Sequence, residues 1–136
     1  MVKKTNSNTY TYAIGRRKSA IATVKLFAGK GDSTVNKIAI DKYFPGLTAK
    51  IAYDRPFLIT DTVGKYHFQS KIIGGGKAGQ VEALSLALCR SLVKINESFK
   101  AIIKPTGLLT VDSRVKERRM VGTGGKSRRQ KQSPKR

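Results

Sequence analysis

The sequence is poor in the residues on which enzymes most depend. Of its 136 residues, one is a cysteine, Cys89, one is a histidine, His67, and only eight are carboxylates, scattered along the chain. A lone cysteine excludes an internal disulfide and any multi-cysteine metal site, and fits a reducing compartment as a buried helix thiol. One histidine among scattered carboxylates offers no recognisable catalytic triad and no metal cage, so His67 reads as a polar residue on a strand face. No stretch nears the roughly 18 to 20 apolar residues of a membrane-spanning helix. The opening MVKKTNSNTY lacks the apolar stretch of a signal peptide and makes a poor transit peptide. These absences lead us to expect a non-catalytic, cytoplasmic protein with no membrane partner.

Basic residues, by contrast, abound. Twenty-eight Lys and Arg give a net charge of +20, and a chain of this length has room for one domain with one core. Such a domain repels itself unless a polyanion neutralises it, which makes nucleic acid the first partner to consider. The charge is also unevenly placed. Residues 114–136 contain Arg114, Lys116, Arg118, Arg119, Lys126, Arg128, Arg129, Lys131, Lys135 and Arg136 against Glu117 alone. From Gly122 onward, GTGGKSRRQKQSPKR has no large apolar side chain and cannot offset its own ordering entropy by burial. Fifteen such residues can extend about 50 Å. We therefore expect a globular domain over 1–113 and an extended basic tail over 114–136, whose cations lie along phosphates and release counterions.

The domain reads as mixed α and β. In TYTYAIGRRKSAIATVKLFAGKG, β-branched and aromatic residues alternate with polar ones, placing Ala20, Ala22, Val24 and Leu26 on one strand face. A turn over 29–33 leads to a short strand over 34–36, then a brief helical turn from Asp41 that Pro45-Gly46 ends. A further strand over 65–73 points Tyr66, Phe68 and Ile72 one way and Lys65, His67, Gln69 and Lys71 the other. Val81, Leu84, Leu88, Leu92 and Ile95 recur at helical spacing over 77–96. A shorter helix over 97–103 stops before Pro105, and 108–111 is expected to be extended.

Between the second strand run and the long helix lies IIGGGKAGQVEAL. Gly74, Gly76 and Gly79 fit the G-x-G-x-x-G spacing that lets a pyrophosphate approach a helix N-terminus. A dinucleotide unit also needs a following parallel strand and an acidic residue about 20 positions on. Glu97 has the spacing but begins a helix. A P-loop needs Ser or Thr after the lysine, where this chain has Ala78. Two readings remain open: clustered glycines that expose N–H groups, with Lys77, to an RNA phosphate, or glycines that let the helix pack closely on the sheet. Arg16-Arg17-Lys18 forms a second compact cluster suited to phosphate.

GRRKSAIATVKL, IIGGGKAGQVEALSLALCRSL, LLTVDSRVKERR and the closing KR, in this order, resemble the family of the ninth protein of the small ribosomal subunit. The resemblance implies a single α+β domain with a four-stranded sheet, two packed helices and a left-handed βαβ crossover, as in the second domain of the fifth small-subunit protein. It implies a structural role without cofactor, in the ribosome of a bacterium or a plastid. The domain would bind small-subunit rRNA in the head, beside neighbouring head proteins, and the tail would thread to the peptidyl-site tRNA. Carried onto this chain, Lys126, Arg128, Arg129 and Lys131 fall to rRNA, as do Arg16, Arg17, Lys18, Lys77, Arg114, Lys116, Arg118 and Arg119. Lys135 and Arg136 fall to tRNA. Ser133-Pro134 departs from the family's aromatic-serine pair, and Gly122-Thr123-Gly124-Gly125 dilutes its lysine-rich hinge. A free RNA chaperone and a dinucleotide-dependent enzyme are the rival readings.

Overall fold

Alternating residues at 10–28 build the first unit of the domain. In the computed structural model, which describes residues 9–128, β1 (Tyr10–Arg17) and β2 (Ala20–Ala28) form an antiparallel hairpin with Arg17 opposite Ala20. The connection is only Lys18-Ser19, and Lys18 turns it with a φ of 53°, as tight hairpin turns require. Ala20, Ala22, Val24 and Leu26 are all buried on one face, as their alternation predicts. β5 (Tyr66–Ile73) lies antiparallel to β2 on its other side.

The sheet has five strands rather than the expected four, in the order β1-β2-β5-β3-β4. The additional strand arises because Asn36 and Lys37 both take positive φ, 49° and 67°. They fold the chain back between β3 (Thr34–Val35), which runs parallel to β5, and β4 (Ile38–Ala39). Asn36, expected at the end of a strand, is thus a turn residue. Its side chain takes over where the ladder stops: Nδ2 donates to the Ile72 carbonyl at 3.1 Å, and Oδ1 accepts from the Ile72 N–H at 2.9 Å.

After the short α1 (Ile40–Tyr43), helix α2 (Leu47–Ile59) packs on the main helix, α3 (Lys77–Ile95). On its other side α3 crosses β1 and β2. Enclosed from two sides, it buries every residue from Ala83 to Cys89 as well as its predicted stripe. Ile95, in the last turn, instead stays exposed. Val24, Leu26, Leu84, Leu88, Leu92 and Ile103 fill the core between these layers. The closest approach is at Gly15, where an added Cβ would stand 1.9 Å from the Ala83 carbonyl oxygen. Only glycine lets β1 and α3 meet there.

β1 is an edge strand, and its outward carbonyls are covered by the same helix. Arg90 Nη1 donates to the Ile14 carbonyl at 2.7 Å, and Lys94 Nζ to that of Tyr12 at 2.6 Å. Two α3 cations thus satisfy acceptors that would otherwise be left without a strand partner.

Helix α4 (Ser98–Ile103) runs into a 3-10 turn over Lys104–Thr106. The segment 108–111, expected to be extended, is instead bent. Gly107 takes a φ of 75° to turn the chain, and Leu108 and Leu109 pack against the core rather than pair with a strand. Residues 107–128 contain no helix or strand.

Candidate nucleic-acid interface

The cluster Arg16-Arg17-Lys18 is contiguous in sequence but divided in space. Consecutive strand residues face opposite ways, so Arg16 is exposed on the uncovered side of the sheet while Arg17 points toward α3. Lys18 stands exposed at the hairpin tip.

Arg17 is committed to protein contacts. Its side chain is 12% exposed, with Nε paired to Glu82 on α3 and Nη1 3.2 Å from a carboxylate oxygen of Asp112. Nη1 also donates to the Arg114 carbonyl at 2.9 Å. Arg114 folds back on Asp112 through its own guanidinium, at 2.7 Å from Nη2 to Oδ2. Hydrogen bonds from Arg114, side chain first and then backbone, hold the Asp112 carboxyl well below the usual carboxylate range. The same pairing raises the pKa of Arg114. One guanidinium therefore joins the end of β1, the first turns of α3 and the root of the tail.

At the glycine segment, Gly74 and Gly75 take φ of 76° and 66°. A Cβ on Gly74 would stand 2.5 Å from the Ser19 carbonyl oxygen, and one on Gly75 would stand 2.8 Å from Ala20 Cβ. A Cβ on Gly76 would meet open space, and one on Gly79 only ordinary contacts at 3.6 Å. The steric demand thus falls on Gly74 and Gly75, not on the full Gly74, Gly76 and Gly79 spacing. Close packing of the turn on the β1–β2 hairpin accounts for these glycines. The turn is tied further by Gln80, whose Nε2 donates to the Gly74 carbonyl at 3.0 Å while its Oε1 accepts from the Tyr43 hydroxyl at 3.1 Å. No strand follows α3 among the described residues, so the helix does not continue into the second half of a dinucleotide unit. Lys77 is exposed at the helix start. Its Nζ lies 3.5 Å from the centroid of the Tyr43 ring and donates to the Tyr43 carbonyl at 3.3 Å.

Cys89 is fully buried on α3, and that burial pushes its thiol pKa up to about 12. His67 lies on the uncovered sheet face, its Nδ1 donating to the Gly29 carbonyl at 3.0 Å and its ring stacked on Phe27. Among the described residues no cluster of histidine, cysteine and carboxylate could hold a metal ion, and no helix is long and apolar enough to cross a membrane.

The tail differs from the domain. Lys116, Arg118, Arg119, Lys126 and Arg128 are all exposed. Arg129, Lys131, Lys135 and Arg136 lie outside the described residues. On the domain, Lys25 and Lys71 stand exposed on the same face of the sheet as Arg16. Sequence reasoning passed over both as contacts, although period-two alternation marks them.

Comparison with known proteins finds relatives over nearly the whole chain. Small ribosomal subunit protein uS9 of Thermus thermophilus is 42% identical over 125 residues, covering 92% of this chain and 97% of that protein. The protein of the same name from Dehalococcoides mccartyi is 41% identical over 122 residues, 90% of each chain. That of Maridesulfovibrio salexigens is 40% identical over 119 residues, 88% of this chain and 92% of its own. The sequence profile of the family described as Ribosomal protein S9/S16 matches residues 15–136, and with relatives this similar over nearly its whole length the chain belongs to that family.

Proposed function

We propose that this chain is a structural constituent of the small ribosomal subunit, in which its domain binds ribosomal RNA and its tail extends the contact. The observation that carries the RNA contact is the contrast in how cations are used. Arg17, Arg90 and Lys94 are engaged within the domain, while Lys116, Arg118, Arg119, Lys126 and Arg128 face solvent in a segment without regular structure. Exposed cations on an extended backbone suit a polyphosphate, where binding releases counterions and recognition follows RNA shape more than base sequence.

Arg16, Lys18, Lys77 and the tail cations, with Arg129 and Lys131, are assigned to ribosomal RNA. Arg17 and Arg114 contribute by fixing the root of the tail. Lys135 and Arg136 are assigned to the peptidyl-site tRNA, with Ser133-Pro134 setting their approach, since proline fixes φ and removes a donor. The family reading also implies a head location, neighbouring head proteins, the cytoplasm, and a left-handed sense for the connection from β3 through α2 to β5.

Sedimentation of the tagged chain from a native lysate, after a moderate-salt wash, tests the assignment. The expected result is comigration with small subunits at about one copy each, following from specific rather than loose charge-driven binding. A slow-sedimenting free pool overturns it and returns the chaperone and dinucleotide readings, which NAD-dependent thermal stabilisation then separates. Deleting Lys135 and Arg136 is expected to leave assembly intact and weaken tRNA binding at the peptidyl site. Unchanged tRNA affinity removes that part of the proposal.

A further inference from the structure

The sheet has one face under α3 and one face that no other element among the described residues covers. Sheets of this kind ordinarily turn polar residues to solvent, but here Tyr10 is 46% exposed, Tyr12 44% and Ile73 59%. The strand register arranges this face in rows. Tyr10, Phe27 and His67 lie side by side across three strands, then Tyr12, Lys25 and Gln69, then Ile14, Thr23 and Lys71, then Arg16, Ile21 and Ile73. No strand position on this face is a carboxylate.

The first row is an aromatic band. Phe27 and His67 stack with centroids 5.2 Å apart, and the Tyr10 ring lies 5.7 Å from Phe27. Lys25 Nζ stands 4.9 Å from the centre of the Tyr10 ring. Beside the band lies a shallow hollow of about 810 Å³, lined by Thr23, Lys25, Thr34, Lys37, Gln69 and Lys71. Three ammonium groups therefore border a depression next to exposed rings.

We propose that this uncovered face is a second RNA-binding surface, taking unpaired nucleotides whose bases stack on Tyr10 and Tyr12 and whose phosphates meet Lys25, Lys71 and Arg16. The inference rests on the RNA-binding reading above and adds to it a defined surface and a preference for unpaired RNA. Charge complementarity selects the occupant: a carboxylate-free face carrying cations attracts a polyanion, and exposed rings among those cations give bases a stacking platform. A duplex keeps its bases stacked on one another and so gains nothing from the rings. Six residue steps from the Tyr10 row to the Arg16 row span about 20 Å, room for the two or three stacked bases that RNA-binding sheets accommodate.

The test uses the full chain with Lys116, Arg118, Arg119, Lys126 and Arg128 changed to Gln, so that the tail does not mask the sheet. The probes are a short unstructured oligoribonucleotide and a blunt RNA duplex of the same length. Adding Tyr10→Ala and Tyr12→Ala is expected to reduce affinity for the single strand by about 5- to 150-fold per lost stack. The salt slope and the weaker duplex binding should stay unchanged. Lys25→Gln with Lys71→Gln is expected to flatten the salt slope by about 1.4 for the single strand. In the unsubstituted chain, photo-crosslinks to the oligonucleotide should map to Tyr10 or Tyr12. Tyrosine variants that bind both probes as before, or crosslinks confined to other segments, overturn the proposal. So does a reconstituted subunit in which these tyrosines crosslink to another protein. If the unsubstituted chain binds neither probe, the RNA-binding reading itself fails.

Discussion

Arg17 and Arg118 carry the same charge in opposite surroundings. Arg17 is enclosed by Glu82, Asp112 and the Arg114 carbonyl, whereas Arg118 stands exposed on an irregular segment. The domain uses cations to join its own elements: Arg90 and Lys94 cover the free edge of β1, and Lys77 settles over Tyr43. Along residues 115–128 the cations have no protein partner among the described residues. Net charge alone therefore says little about where a partner binds. The informative quantity is how much of that charge the fold leaves unused.

The strongest challenge to this contrast is to change all five exposed tail cations, Lys116, Arg118, Arg119, Lys126 and Arg128, to Gln. The log–log salt slope of RNA binding is expected to shrink by up to about 3.5 to 4.5, at 0.7 to 0.9 per phosphate. Urea unfolding should move by no more than about 0.5 kcal/mol. A large loss of stability would mean that the tail cations also serve the fold.

Gly15→Val probes the opposite region. With an added Cβ at 1.9 Å from the Ala83 carbonyl, β1 must move away from α3, and urea unfolding is expected to show a loss of about 3 kcal/mol. Arg17→Met should act at the junction of the two regions. Loss of charge-assisted bonds is expected to lower stability by about 1–2 kcal/mol and to speed hydrogen exchange at residues 112–114. Arg16→Gln, one position away on the other face, should leave both unchanged.

The smallest effect concerns pH and the domain alone. Burial, then the nearby Asp41 and Asp54 charges, raise the Tyr53 phenol from its ordinary value to about 12. A raised folded pKa means that the neutral phenol is favoured in the fold. Its contribution is complete below about pH 10 and is lost as pH rises toward 12. The melting temperature should fall across that window, and Tyr53→Phe should reduce the fall. RNA binding is not expected to follow Tyr53. At Asp112 the sign reverses: hydrogen bonds from Arg114 depress its pKa, so its contribution is present above the usual carboxylate range and is lost as pH falls below it.

How much of this was legible in the sequence depended on whether a periodicity acted alone. α3 was legible because Val81, Leu84, Leu88 and Leu92 repeat at helical spacing, and β1, β2 and β5 because their faces alternate. α2 was not, since Pro56 interrupts its sequence and only Tyr53, Pro56 and Phe57 are buried. Tertiary packing against α3 holds that helix more than its own pattern does. The β3–β4 turn was hidden because Asn36 and Lys37 adopt positive φ without a glycine to signal it.

The candidate site was legible as charge but not as geometry. Arg16-Arg17-Lys18 reads as one patch until the strand sends its members to different faces. The glycine segment resembles a nucleotide fingerprint until the steric contacts at Gly74 and Gly75 show which glycines the turn requires.

The Arg17 junction also bears on how quickly the tail finds its target. Because the Arg114 carbonyl is held to the end of β1, the tail leaves the domain from a fixed point. On the proposed function, once the domain has docked, the search for the tail's phosphates is intramolecular and starts from that point. A narrower search volume raises the effective concentration of each tail cation at its target. Arg17 thus sets the starting position of that search.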